Sequence, residues 1–370
     1  MSELNSKIKN ALVKLAGALV DQAKAKVLVQ PQQNADGFWF GSGNIIEAKS
    51  DSYLLCGRYR NHGDSRTGTG SGTRGLEFSI FEGASPVGPF NKIRSFSKED
   101  LSTPKAAVVS IEGGKLFQGS KGLEMIISTE KALDYPKRFS DFQKPGTGVW
   151  SIDRIVAETA KKLDSSTLKE IQSSQEGESL HIKDPVVFNL PNHGTALAFC
   201  NHPFSWSSSN TGLAVRAEGS DVFELYSQAI LERGATWDVA CARVTDRLPM
   251  PKVGCLADLP ALSLYFYDGA ECLRSLAENV KAVSRPRGFS CEELGGLAWG
   301  WDSEFPKIQR LSIDFPLFVS PNGTGCSRYV STLLTRGGIM ASWQQSQPDL
   351  SQPLVGNFLD AKNYKEILKI

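Results

Sequence analysis

The chain has few of the residues that build metal centres and disulfide frameworks. It contains four histidines without an H-E-x-x-H motif, and its seven cysteines include no C-x-x-C pair. The first absence argues against a catalytic metal, and the second argues against a zinc site and a full disulfide framework. An odd number of thiols, several in apolar strand-like runs, favours a reducing compartment. We therefore expect a cytoplasmic protein without metal or cofactor.

An excess of charge of one sign is also missing. The 41 basic and 40 acidic residues give a net charge of +1, which removes the broad electrostatic case for a nucleic-acid partner. No apolar run approaches the roughly 18 to 20 residues that cross a bilayer. The first 29 residues do not form a secretory signal, because Lys14 interrupts their apolar stretch and no small-residue cleavage site follows.

The N-terminal segment has the spacing of an amphipathic helix instead. We predict that it docks on the main domain and that the protein has no membrane partner. A basic helix lying on a membrane surface is the alternative. The apolar positions that carry this prediction are Ile8, Leu12, Leu15, Leu19 and Ala23.

Short strand signals dominate the chain from about residue 37 onward. Apolar or aromatic runs alternate with Gly, Asp, Asn or Ser, and 34 glycines and 18 prolines suit many tight turns. Groups of such runs start near residues 43, 107, 182, 236 and 304. Four strands per group and five groups predict an all-β, five-bladed β-propeller, with a pair of β-sandwiches as the alternative.

The predicted organisation has three parts. Residues 1–30 form the docking helix, residues 37–355 form the propeller, and residues 356–370 form a helical tail. Helical spacing is otherwise limited to residues 155–172, 272–283 and 361–368. The oligomeric state is not predicted.

Acidic residues near the starts of predicted inner strands are the candidates for chemistry. Inner strands converge on the axis, and a buried ionisable group is costly unless it is paired or functional. Asp184, in the run Lys183-Asp184-Pro185, is the strongest candidate, and Asp238 and Glu304 are the others. Asp302 is the rival of Glu304.

These features resemble the five-bladed propeller glycoside hydrolases, the arabinanase and xylosidase group and the invertase and levansucrase group. The resemblance rests on the blade count, on the run Lys183-Asp184-Pro185, which is like that superfamily's Arg-Asp-Pro, and on acids in successive inner strands. It implies a base or nucleophile and a modulator among Asp184 and Asp238, with Glu304 as the acid. The first strand departs from the pattern, because residues 38–44 contain no acid.

An arginine-rich stretch after the second strand signal predicts a lobe of a substrate site. Guanidinium groups suit carboxylates, and an anionic sugar would fit them. A solvated loop with local ion pairs is the alternative. The run Gly70 to Gly75 matches G-x-G-x-x-G, but a strand follows it and not a helix, which argues against a dinucleotide site. The predicted substrate-binding residues are Arg58, Arg60, Arg66, His193, Trp237, Arg243, Trp301 and Asp302.

The sequence therefore predicts a glycosidase that cleaves a small oligosaccharide with paired carboxylates in an axial pocket. Two alternatives stay open. One is a non-catalytic propeller that binds a sugar or a protein, and the other is a uronate-acting lyase on the same scaffold.

Overall fold

A computed structural model describes residues 3–48, 52–61, 74–143, 147–174, 180–191, 194–202, 208–271 and 293–369. Five antiparallel sheets follow one another along the chain, each built outward from an inner strand. The predicted all-β, five-bladed propeller with an N-terminal helix is confirmed. We number the blades in the order of their inner strands.

Blades 1 to 3 are each continuous in sequence. Blade 1 contains β2 (Phe38–Gly41), β3 (Ile45–Glu47), β4 (Tyr53–Asn61), β5 (Glu77–Gly83) and β6 (Asn91–Ser97). Blade 2 contains β7 (Val108–Gly119), β8 (Gly122–Lys131), β9 (Val149–Ala157) and β10 (Lys169–Ser173). Blade 3 contains β11 (Lys183–Asn189), β12 (Thr195–Asn201), β13 (Asn210–Arg216) and β14 (Glu224–Leu231).

Blade 5 joins the two ends of the chain. Blade 4 contains β15 (Cys241–Pro249), β16 (Leu262–Ala270), β17 (Leu294–Trp301) and β18 (Gln309–Arg310). Blade 5 contains β19 (Ser327–Leu334), β20 (Gly338–Gln345) and β21 (Leu354–Asp360), and its outer strand is β1 (Lys26–Val29). Because β1 pairs with β21, the ring of blades is closed by backbone hydrogen bonds.

Two helices cover the junction of blades 4 and 5. Helix α1 (Ser6–Leu19) is capped by Asn5, whose side chain accepts a hydrogen bond from the Ile8 N–H at 2.9 Å. Its apolar face joins the largest core cluster together with Trp299, Trp343 and helix α2 (Ala361–Ile367). Among the described residues, none of the helices has the length and apolar content needed to cross a membrane.

Three local predictions are corrected or fall outside the structure. The helix expected over residues 155–172 is wrong, because strands β9 and β10 and two short 3-10 turns fill this segment. The fifth unit does not begin at residue 304, because β18 still pairs with β17 of blade 4. The helix expected over residues 272–283 lies outside the described residues. The tail helix is confirmed as α2, and the strands β1 and β21 extend beyond the predicted propeller range 37–355.

Candidate active site at the propeller axis

The inner strand of each blade has a bulge, where it contains one residue more than the strand it pairs with, and the five bulges lie at similar positions along their strands. In blade 3, for example, Lys183 pairs with Cys200 and Val186 pairs with Ala198, so three steps on β11 oppose two steps on β12. A bulge of this kind bends the strand and redirects a side chain, and bulges are common beside active sites. The corresponding shifts in the other blades follow Gly41, Ile111, Val244 and Arg328.

The first residues of the five bulges form a layer around the axis, which we call the bulge layer: Ser42, Glu112, Asp184, Thr245 and Tyr329. Three of them, Ser42, Asp184 and Tyr329, have positive φ angles of 59°, 54° and 56°. Side chains other than glycine rarely adopt this conformation, and it persists only where the surroundings enforce it. Of the five non-glycine residues with a positive φ in the described part of the chain, three thus lie where the inner strands meet.

Contacts run from blade to blade around this layer. Arg58 of blade 1 binds Glu112 of blade 2 at 2.7 Å, and the Gly113 N–H donates to Asp184 of blade 3 at 3.2 Å. Asp184 binds Arg243 of blade 4 at 2.8 Å. The remaining links are from the Tyr329 N–H of blade 5 to Asp268 of blade 4, at 3.0 Å, and from Arg328 to the ring of Trp39 in blade 1, at 4.6 Å.

Arg243 is the centre of this arrangement. Its Nη1 binds Asp184, and its Nη2 binds Asp268 at 2.7 Å and Glu293 at 2.9 Å. Two carboxylates that bind the two ends of one guanidinium lie within about 8 Å of each other. Asp184 and Glu293 therefore have a separation that suits paired acid–base chemistry.

The carboxyl groups around Arg243 differ in proton affinity. Burial raises the pKa of Asp268 to about 6, although Arg243 opposes this shift. Burial also acts to raise the pKa of Glu293, but Arg243 and Arg328 outweigh it and hold that pKa well below its usual range. The cluster thus combines a carboxylate that stays ionised with a carboxyl group that binds a proton in mildly acidic solution.

Asp238 and Trp237 lie away from the axis. Asp238 is fully buried and binds Arg310 of the short outer strand β18 at 2.7 Å. Trp237 is also fully buried, stacks on Tyr267 at 5.5 Å and donates its indole N–H to the Ser312 carbonyl at 3.1 Å. Trp237 therefore has no exposed face on which a sugar could stack, and both residues hold blade 4 together.

Glu304, Asp302 and Trp301 lie at the opposite end of blade 4 from Arg243. Arg243 pairs through Asp268 with Gly295, whereas Trp301 lies six residues further along β17, which is about 20 Å. Asp302 binds Arg247 at 3.0 Å, and Trp301 packs edge-on against Trp299 at 5.3 Å. The structure therefore does not bring Asp184, Asp238 and Glu304 together, unlike the grouping expected from the sequence.

Three predicted substrate-binding residues do reach the axial region. Arg58 and Arg243 contact the bulge layer, and the Arg60 guanidinium lies 4.6 Å from the centre of the Trp39 ring. Arg66 and His193 lie outside the described residues. The axial groups that the sequence reasoning missed are Trp39, Arg74, Glu112, Asp268, Glu293, Arg328 and Tyr329. A usable signal was a charged residue followed directly by glycine inside a strand, as in Glu112-Gly113 and Asp268-Gly269.

Cysteine and metal chemistry find little support in the described part of the chain. Cys200 lies 3.2 Å from the His202 Nε2 atom, but burial raises the pKa of its thiol to about 11, far from that of a nucleophile. No group of three or more His, Cys, Asp or Glu residues with metal-binding geometry occurs among the described residues.

Comparison with known proteins gives a fold relationship alone. No protein-family model and no curated protein sequence matches the chain. Among solved structures, the α-L-arabinofuranosidase from Lactobacillus brevis is similar, with a TM-score of 0.57 and 10% identity over 91% of this chain and 93% of that one. A GH43_1 enzyme from Xanthomonas citri has a TM-score of 0.52 and 10% identity over 96% and 95% of the two chains.

A phosphorylase is also similar in fold. The β-1,2-mannobiose phosphorylase from Listeria innocua has a TM-score of 0.53 and 11% identity over 92% of this chain and 97% of that one. At such identities the comparisons establish a five-bladed propeller of the kind that glycoside hydrolases use. They assign neither a substrate nor catalytic residues.

Proposed function

We propose that the protein is a glycoside hydrolase that acts on a small carbohydrate at the propeller axis. One observation carries the proposal: Asp184 and Glu293 bind opposite ends of the Arg243 guanidinium and so lie within about 8 Å of each other. A propeller that only binds a sugar or a protein has no need for a strained, buried carboxylate with a second carboxylate at this separation. The fold of the similar solved structures supports the same reading.

The two carboxylates are assigned different tasks. Glycosidic cleavage needs one group that protonates the leaving oxygen and one carboxylate that attacks the sugar or activates water. Glu293 suits the second task, because Arg243 and Arg328 keep its pKa low and its carboxylate ionised. Asp184, at the other end of the guanidinium, is assigned the first task on its position alone. Asp268 is a positioning residue that holds Arg243 between them from a fully buried site.

The test is to replace each carboxylate by its amide. Asp184→Asn and Glu293→Gln are expected to lower turnover of aryl glycosides by about 10²-fold or more, the usual size of an acid–base contribution. Glu304→Gln is the matched control and is expected to keep full activity. Circular dichroism and the melting temperature of each variant establish that the fold is retained. Full activity of both axial variants would end this proposal.

A uronate lyase on the same scaffold is the second candidate, because Arg58 and Arg60 lie beside the axial carboxylates. A lyase forms an unsaturated uronate that absorbs ultraviolet light, whereas a hydrolase releases two saturated sugars. Following both products from one digest separates the two reactions.

We also propose a reducing compartment such as the cytoplasm. The described cysteines Cys56, Cys200, Cys241, Cys255 and Cys326 are all free thiols, and four of the five are buried. Thiol labelling after denaturation of freshly isolated protein is expected to modify all of them.

A further inference from the structure

Tyr329 in blade 5 is held tightly in the bulge layer. Its φ angle of 56° is one that residues other than glycine rarely adopt, and its N–H donates to both carboxylate oxygens of Asp268, at 3.0 and 3.1 Å. The centre of its ring lies 4.4 Å from the guanidinium carbon of Arg243 and 5.3 Å from that of Arg328. These contacts fix the backbone and the ring of Tyr329, but none of them uses its hydroxyl.

The hydroxyl of Tyr329 forms no hydrogen bond with any described residue. A buried tyrosine hydroxyl normally has a partner, as that of Tyr267 does, which donates to the Ser312 carbonyl at 3.1 Å. Tyr329 is 6% exposed, and its oxygen is not among the sealed polar atoms of the described residues, unlike the oxygen of Tyr265. The hydroxyl therefore ends in the axial space, where a ligand can reach it.

Charged groups of blades 1, 3 and 4 act on this phenol. Burial has the largest effect and raises the pKa of Tyr329, and the carboxylates of Asp184 and Glu293 raise it further. The guanidinium groups of Arg243 and Arg58 act in the opposite direction without cancelling the rise. The phenol therefore keeps its proton at neutral pH, so that it can donate and accept hydrogen bonds but does not act as a nucleophile.

The phenol is also close to the proposed reaction centre. Arg243, on which the ring of Tyr329 packs, binds Asp184 at 2.8 Å and Glu293 at 2.9 Å. A sugar whose glycosidic bond lies between these two carboxylates therefore brings its hydroxyl groups next to the phenol. A few polar groups placed in this way fix the orientation of a small ligand.

We propose that Tyr329 contacts the substrate, with its hydroxyl hydrogen-bonded to a ring hydroxyl of the sugar whose glycosidic bond is cleaved. This rests on the proposed function, in which the axis binds a carbohydrate between Asp184 and Glu293. The positive φ angle supports this role, because strained residues cluster at ligand-binding and active sites.

Binding of free sugars to the variant Tyr329→Phe tests the proposal without relying on cleavage. Ligand-observed NMR on arabinose, xylose, galactose, glucose and mannose identifies which of them the wild-type protein binds. Tyr329→Phe is expected to weaken this binding about three- to tenfold, the value of one hydrogen bond. Its melting temperature should not change, because the hydroxyl has no protein partner to lose.

Monodeoxy forms of the bound sugar identify the contact. Removing the sugar hydroxyl that Tyr329 binds should lower the affinity of the wild-type protein about as much as Tyr329→Phe does. The two losses should not add when they are combined, because each removes the same hydrogen bond. If the protein recognises an aryl glycoside but no free sugar, kcat/KM for the monodeoxy aryl glycosides takes the place of the affinity.

Two other tyrosine variants separate this role from a structural one. Tyr267→Phe removes a hydroxyl that is bonded within blade 4, so it should lower the melting temperature and keep the affinity for the sugar. Tyr226→Phe, on the outer strand of blade 3, removes a hydroxyl from a residue that is 63% exposed and should change neither property.

The outcomes distinguish this inference from the proposed hydrolysis. Unchanged affinity of Tyr329→Phe, a lowered melting temperature, or losses that add fully for every monodeoxy sugar would overturn the inference even if aryl glycosides are cleaved. Losses that do not add for one monodeoxy sugar, without cleavage of any glycoside, would leave the contact standing and remove the hydrolase. Recognition of no sugar and no aryl glycoside would remove both.

Discussion

At the scale of single residues, Arg243 determines how the axial carboxylates behave. It contacts Asp184, Asp268 and Glu293 at once. Arg328 also binds Glu293, so two guanidinium groups face three carboxylates, and the cluster favours keeping a proton on one of them. Burial assigns this proton to Asp268, the most deeply buried of the three. The cluster is therefore expected to couple folding stability to pH.

The raised pKa of Asp268 fixes the sign of that coupling. The folded protein holds this proton up to about pH 6, whereas the unfolded chain releases it near the ordinary aspartate pKa of 3.8. The contribution to stability is therefore complete below about pH 4 and is lost as the pH rises through 6, with an upper size of about 3 kcal/mol. Glu293, whose pKa is lowered, contributes in the opposite sense, with stability lost as the pH falls below its unfolded value.

We predict that Asp268→Asn removes the loss of stability that the wild-type protein shows as the pH rises through 6. The free energy of unfolding of the wild-type protein, measured relative to the variant in urea, should decrease between pH 4 and pH 7. This difference between the two proteins removes the pH dependence of unfolding that comes from groups present in both. To a first approximation, Glu293 is one of these groups. A difference that stays constant over this range would contradict the assignment of the raised pKa to Asp268.

At the scale of elements, the bulges require a glycine at position 113, where neighbouring inner strands approach one another closely. A Cβ atom added to Gly113 would lie 2.7 Å from the Asp184 Oδ1 atom and would also collide with the Ser42 hydroxyl. The inner strands β2, β7 and β11 therefore meet so closely that the bulge layer leaves no room for a methyl group there.

Gly113→Ala is therefore expected to destabilise the protein by about 1 to 3 kcal/mol, the usual cost of overpacking, and to impair activity by displacing Asp184. Gly17→Ala is the matched control. Gly17 lies in helix α1 with open space around its Cα, so alanine should stabilise the protein by up to about 1 kcal/mol. Urea denaturation measures both changes, and equal effects of the two substitutions would contradict the close packing of the bulge layer.

The sequence predicted the five-bladed architecture and most inner strands, but it missed or misassigned some elements. Alternating apolar runs identified most inner strands, and Asp184 was found because an acid followed by a proline is unusual in such a run. β17 was missed because three of its eight residues are glycine, which weakens the strand pattern. Ala157, Ala160 and Leu163 have helical spacing, yet pairing with β8 makes residues 149–157 a strand. Local periodicity does not report such a tertiary contact.

The axial site was predictable only in part, because tertiary contacts that local periodicity does not report bring its residues together. The partners of Arg243 come from β11, from β16 and from Glu293, which are distant in sequence and meet only when the ring closes. Asp238 and Glu304 have sequence surroundings as suggestive as those of Asp184. Position within the blade separates them: Asp184 is the first residue of a bulge, whereas Asp238 packs against an outer strand and Glu304 follows the far end of β17.

At the scale of the whole molecule, both ends of the chain hold the ring closed. β1 supplies the outer strand of blade 5, and the preceding helix α1 covers the junction of blades 4 and 5. Asn357 in β21 donates to the Ala18 carbonyl at 2.9 Å, which ties the end of α1 to the same sheet. The helix is thus part of the closure, and its loss should affect the entire propeller.

We predict that Leu15→Ala destabilises the whole protein by about 2 to 5 kcal/mol, the usual cost of removing a fully buried leucine side chain. Lys14→Ala, on the exposed side of the same helix turn, should change the free energy of unfolding by no more than about 0.5 kcal/mol. If α1 is part of the closure, Leu15→Ala lowers the midpoints of the fluorescence and circular dichroism transitions together. If α1 were an independent appendage, the variant would fray at the helix and leave the main transition unchanged, which would contradict closure by the N-terminal segment.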